Sequence, residues 1–151
     1  MIKLNRRHVL ALAGAGMALA ACGKTTATTA PKITLSKAWM RPPPGSRDTS
    51  AAYLIIQNDG GADTLVSVSS PLADEVQMHI SEMKDDMMSM RREEVVPIPA
   101  HGTVAYKPGG RHLMVFGIHD GVKAGDTLTL TLTFKRAGTM TVEGVVGAGP
   151  A

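Results

Sequence analysis

Four apolar residues in the stretch DTLTLTLTFKR, namely Leu128, Leu130, Leu132 and Phe134, alternate strictly with threonines. A period of two puts all four on one face of a β-strand and scatters them around a helix. The stretches TSAAYLIIQN, DTLVSVSS and GTMTVEGVV also read as strands, and no segment of the domain sustains a period of 3.6. Between the strands lie RPPPGSRD, NDGGAD, IPAHG, KPGG, HDG and KAGD, which are turn sequences rich in Gly, Pro, Asn and Asp. Short strands at about ten-residue spacing predict an all-β fold, an antiparallel β-sandwich or barrel. A single domain of about 115 residues can bury the core that this requires.

The amino terminus has a different character. Residues 1–22, MIKLNRRHVLALAGAGMALAAC, combine a basic start, an apolar run over 9–21 and a cysteine. Thirteen apolar residues are too few to cross about 30 Å of hydrocarbon as a helix, and the flanks fit an export signal. LAAC resembles the lipobox of bacterial lipoproteins, and NRRHVL resembles a twin-arginine signal. The expected organisation is a lipoprotein-type export signal over 1–21 and a lipidated Cys22 with a flexible tether over 22–32. The β domain follows over 33–147, with a short tail over 148–151. Such a chain sits in the bacterial cell envelope, on the periplasmic face, held to a membrane through its lipid.

The export signal carries Lys3, Arg6 and Arg7, three of the 16 basic residues, and none of the 13 acidic ones. The mature chain is therefore balanced at 13 of each, which removes the electrostatic case for a nucleic-acid partner. Cys22 is the only cysteine. With it lipidated, the domain has no disulfide, no thiolate metal ligand and no cysteine nucleophile. A soft-metal site in this oxidising compartment has to draw on another kind of sulfur.

Methionine supplies it. MHISEMKDDMMSM, residues 78–90, holds five methionines around His79. In RHLMVFGI, His112 and Met114 stand two apart and share a strand face, while Leu113 and Val115 face the other way and suit a core. KDD offers a turn between two strand-like runs. With that hairpin centred between Lys84 and Asp85, His79 lies directly opposite Met90, at a Cβ separation of about 4.5–5.5 Å. Neutral imidazole and thioether donors suit Cu(I) better than Zn(II), Mg(II) or Ca(II). They also add no charge that would favour the higher oxidation state. A site free of thiolate should release copper readily to an acceptor that has one.

His79-x10-Met90-x21-His112-x-Met114, with AWMRPPPG, AAYLIIQN, YKPGGRHLMVFG and GDTLTLTLTF around it, resembles the periplasmic copper chaperones associated with the copper A centre of cytochrome c oxidase. The likeness spans residues 33–146. It implies a cupredoxin-like β-sandwich or barrel that binds one Cu(I) at His79, Met90, His112 and Met114. It also implies a non-enzymatic monomer that exchanges copper with envelope proteins, namely oxidase subunit II or its assembly factors. A copper buffer or resistance protein without a dedicated acceptor is the alternative. Some relatives carry a Met- and His-rich tail for a second copper; VGAGPA has neither residue.

Other readings fit less well. A blue-copper electron carrier needs a cysteine between its histidines. A zinc hydrolase needs three N or O ligands, a general base and an open position. A purely structural sandwich gives no reason for the four-residue spacing. Met78, on the opposite face from His79, is read as core. Met83, Met87 and Met88 are read either as loop gap-fillers or as a soft collar that helps capture copper. His101 and His119 are read as turn residues, and Trp39 and Tyr53 as core or rim aromatics.

Overall fold

A computed structural model describes residues 29–149; the expected export signal and the expected lipidation site Cys22 lie outside the described residues. Ten strands follow one another, with no helix among the described residues. They are β1 (Ile33–Met40), β2 (Ser50–Asn58), β3 (Asp63–Ser69), β4 (Ala73–Lys84), β5 (Met87–Arg92), β6 (Val96–Ile98), β7 (Gly102–Tyr106), β8 (Arg111–Ile118), β9 (Thr127–Phe134) and β10 (Gly138–Val146).

The strand order is β5-β4-β8-β7-β2-β1-β10-β9-β3-β6, and a further pairing of β3 with β4 closes the sheet on itself. Eight strands thus form a barrel, with β5 and β6 attached outside the ring. All pairings are antiparallel except β1 with β10 and β7 with β8. Closure removes free sheet edges from everything but the appended strands. It does not remove the edge of β5, which carries half of the methionine-rich hairpin.

The core follows from the alternation. Leu128, Leu130, Leu132 and Phe134 are all buried, each stabilising the fold by roughly 1.5–3 kcal/mol through its burial. Leu113, Val115, Leu54 and Ile56 meet them from β8 and β2. Met78 is buried opposite Leu113, the core position its place in the sequence implies.

Two local departures shape the rest. In β1 the register slips between Ser36 and Trp39, where Lys37 takes a positive φ of 51°. This is the signature of a bulge, and it aims Trp39 at Tyr53. At the chain's entry, Lys32 N donates to Asn58 Oδ1 and Gly61 N donates to the carbonyl of Ala30. Residues 29–32 therefore lie against the Gly60-Gly61 pair: a Cβ on Gly60 would strike the backbone of residues 30–32, and one on Gly61 that of Thr29.

The hairpin of β4 and β5 corrects one expectation. Asp85 and Asp86 both have positive φ, 51° and 60°, and form a two-residue loop. Positive φ at both central positions is what a type I′ turn requires, and that turn matches the strand twist. The hairpin axis therefore falls between Asp85 and Asp86, one residue beyond the expected centre. Ser81 pairs with Met90 and His79 pairs with Arg92. His79 and Met90 are not directly opposed. The shift moves the pairing by two positions, so Met90 stays on the face of His79 and becomes its diagonal neighbour.

Candidate metal centre

The four sequence-predicted residues share the outer face of the barrel wall, on the adjacent strands β5, β4 and β8. Leu113, Val115 and Met78 point inward; their neighbours His112, Met114 and His79 consequently point outward. His79 and His112 are direct cross-strand partners, and their ring centroids are 5.8 Å apart at an interplanar angle of 44°. Met114 follows His112 by two and lies opposite Gln77 on β4 and Ala51 on β2. Met90 lies on the other side of the histidine pair, opposite Ser81.

A cleft of about 220 Å³ runs across this face, lined by Met90, Ser81, His112, Met114, Ala51 and Tyr53, with Arg41, Pro108 and Gly109 completing it. Alanine opposite Met114 leaves the room that a larger side chain would take. Tyr53 is buried beneath Trp39, with centroids 4.5 Å apart, and Arg41 lies over its ring at 5.6 Å. Tyr53 lines the cleft, as the rim reading has it, while Trp39 stacks on Tyr53 without lining the cleft itself.

Each histidine has an orienting partner. His112 is 7% exposed, and its Nδ1 is 3.0 Å from the carbonyl oxygen of Gly110. An acceptor there requires Nδ1–H, which leaves the lone pair on Nε2. The same carbonyl accepts from Ser81 N at 3.2 Å, so it ties β4 to the imidazole. His79 Nε2 lies 3.0 Å from Gln77 Oε1. That amide oxygen likewise accepts a hydrogen bond from Nε2–H, which leaves the lone pair of His79 on Nδ1. The residues 107–110 that carry the Gly110 carbonyl are anchored by Arg111. Its Nε and Nη2 donate to Glu93 at 2.8 and 3.1 Å, a bidentate pair on a buried carboxylate. The Arg111–Glu93 pair holds the Arg111 guanidinium above its ordinary pKa.

Gln77 and Gly110 escape a search for ligands by residue type. The period-two rule does point to Gln77, which precedes His79 by two. The Gly110 carbonyl has no sequence signal, because it depends on the β7–β8 connection.

Burial lowers the pKa of His79 from 6.5, helped by the nearby charges of His112 and Arg92. The unfolded chain then binds this proton more readily than the folded one. The contribution of His79 to apo stability is full above pH 6.5. It is lost as the pH falls from there through the lowered folded-state value. Urea midpoints from pH 7.5 to 5 should show a downward slope that is shallower in His79→Gln. An unchanged slope in that variant would show that His79 does not contribute.

The remaining candidates separate clearly. His101, at φ 50°, occupies the turn before β7 and is exposed; His119 is exposed and meets Asp74 at 3.3 Å. Met83, Met87 and Met88 are 67%, 72% and 62% exposed. They therefore do not fill gaps in a loop, and they belong to strands. Among the described residues no three of His, Cys, Asp and Glu converge on a common point. The side-chain sulfurs on this face beside the two imidazoles are the thioethers of Met90 and Met114.

The architecture is cupredoxin-like, as in the solved domains that resemble it. A family model described as LpqE-like matches residues 33–146, and the chain belongs to that lipoprotein family. Lxx21020 of Leifsonia xyli subsp. xyli (strain CTCB07), which carries a lipoprotein name, is 32% identical over 136 residues, 89% of this chain and 81% of that protein. The copper-bound PCuAC domain from PmoF2 superposes with a TM-score of 0.65 at 28% identity, covering 78% of this chain and 93% of that one. The Cu(I) form of DR1885 from Deinococcus radiodurans superposes at 0.57 with 29% identity, covering 84% and 85%.

Proposed function

We propose that this protein is an envelope Cu(I) carrier that holds one ion at His79, Met90, His112 and Met114 and gives it up to a copper-accepting protein. The observation that carries the reading is the cross-strand pairing of His79 with His112, flanked on one face by Met114 and Met90. Two imidazoles with preset lone pairs and two neutral sulfurs make a soft, uncharged donor set that suits Cu(I). Two similar solved domains, the copper-bound PCuAC domain from PmoF2 and the Cu(I) form of DR1885, support the same metal.

The chemistry is binding and release, with no bond in any substrate made or broken, so the protein is not an enzyme in this reading. Three ligands are on strands that form the barrel wall; Met90 is on the appended β5 and is 63% exposed. Met90 is therefore the ligand most easily reached and displaced by an incoming acceptor thiolate. The acceptor we favour is the copper A centre of the respiratory oxidase, through subunit II or its assembly factors. The protein acts as a monomer, anchored by lipid at Cys22 on the periplasmic face.

Anaerobic titration should give one tight Cu(I) per chain, and X-ray absorption should count two sulfur and two nitrogen neighbours. A spectrum with only nitrogen and oxygen neighbours would sink the assignment. Affinity should decline below about pH 6, since protons compete for imidazole; the lowered pKa of His79 delays that competition at this ligand. Gene deletion then tests the destination. Loss of oxidase copper supports delivery, whereas copper sensitivity with a fully loaded oxidase indicates a buffer.

A further inference from the structure

Three methionines of the β4–β5 hairpin beyond the four-residue site, Met83, Met87 and Met88, are exposed and take no part in the core. Among the described residues the exposed large hydrophobics are Met83, Met87, Met88, Met90, Val95 and Val145. Four of the six are methionines on one hairpin. Two-thirds exposure means that these side chains bury little apolar surface and bring the fold little stability.

Their register is specific. Met83 and Met88 are direct cross-strand partners, and Ser81 and Met90 are the next pair on the same face. His79, two residues from Ser81, shares that face. Met87 pairs with Lys84 and points the other way. Opposed residues have Cβ atoms about 4.5–5.5 Å apart and diagonal neighbours lie within about 7–8 Å, spans that long side chains close. Met83, Met88 and Met90 can thus bring three sulfurs to one point, because thioether arms are unbranched and flexible.

From this we infer that Met83 and Met88, with Met90, form a second thioether site at the hairpin tip, where Cu(I) first docks before it passes to the histidines. The inference rests on the copper reading above. Met90 belongs to both sets, so the ion keeps one bond while the others exchange. The Cu–S bonds to Met83 and Met88 break as Cu–N bonds to His79 and His112 and a Cu–S bond to Met114 form. Copper stays Cu(I) throughout, and no electron or proton moves. A site of three neutral sulfurs and no imidazole binds more weakly than the mixed set, so the ion runs downhill toward the barrel wall.

The test uses apo protein loaded anaerobically from the Cu(I) complex of bicinchoninate, with the loss of the complex's colour as readout. Wild type, M83L/M88L and M87L are compared. Leucine keeps size and apolarity at exposed positions, so the fold survives. The double variant should load about tenfold or more slowly, and M87L should load like wild type. A double variant as fast as wild type overturns the proposal. So does an equal slowing in M87L, which would indicate that general apolarity of the hairpin matters and not the facing sulfur pair. Final occupancy reads the four-residue site by itself. If wild type takes up no Cu(I), the copper reading fails as a whole; if it fills normally and only the rates agree, the entry site alone is wrong.

Discussion

Met114→Leu should lose tight Cu(I) binding while the apo protein melts almost as before. The exchange keeps volume and apolarity, so stability should change by less than about 1.5 kcal/mol. Met114 is only partly buried and lines the cleft beside His112, on the outer side of the barrel. What disappears is one sulfur of the proposed four-donor set. Loss of outer-shell partners alone costs about 10–100-fold in metal affinity, so a ligand should cost more than about 100-fold. A Cu(I) competition titration paired with a urea melt decides the matter. Retained affinity in Met114→Leu would mean that the copper ligands were misassigned, since the methionine would then be filling space only.

Leu113→Ala should behave in the opposite way, one residue along the same strand. Leu113 is fully buried, opposite Met78 on β4 and Ala52 on β2, in the centre of the barrel. Truncation removes three carbons and leaves a cavity between strands that are locked in a closed ring and cannot collapse freely. About 2–5 kcal/mol of apo stability should go. The outer face is untouched, so the folded fraction should bind Cu(I) with wild-type affinity. An apo melt within about 1 kcal/mol of wild type would show that the core is more plastic than its closed topology implies.

The contrast between these neighbours was legible without coordinates, because strand alternation assigns faces from residue numbers alone. The same rule identified β8 to the residue and placed Met78 in the core. It failed at the hairpin. KDD announced a turn but not which two residues would form it, and an Asp-Asp pair lacks the glycine that marks a type I′ turn. The true axis lies one residue further on. Met90 kept its face only because that error changes the pairing by two positions, the period of the strand. Met83, Met87 and Met88 were ambiguous for a related reason. Composition alone does not distinguish a methionine that fills a gap from one left in solvent on an edge strand.

Sequence by itself determined the all-β class, the inward row of Leu128, Leu130, Leu132 and Phe134, and the shared face of His112 and Met114. All three are local consequences of a two-residue repeat. The tertiary structure alone decided that β4 and β8 are neighbours with His79 opposite His112. It alone supplied the Gly110 carbonyl that orients His112, and it put the candidate site on the outside of the barrel. Those depend on which strands pair and in which register. Pairing is set by closure of the whole sheet and by the conformation of two turn residues, not by the pattern within any one strand.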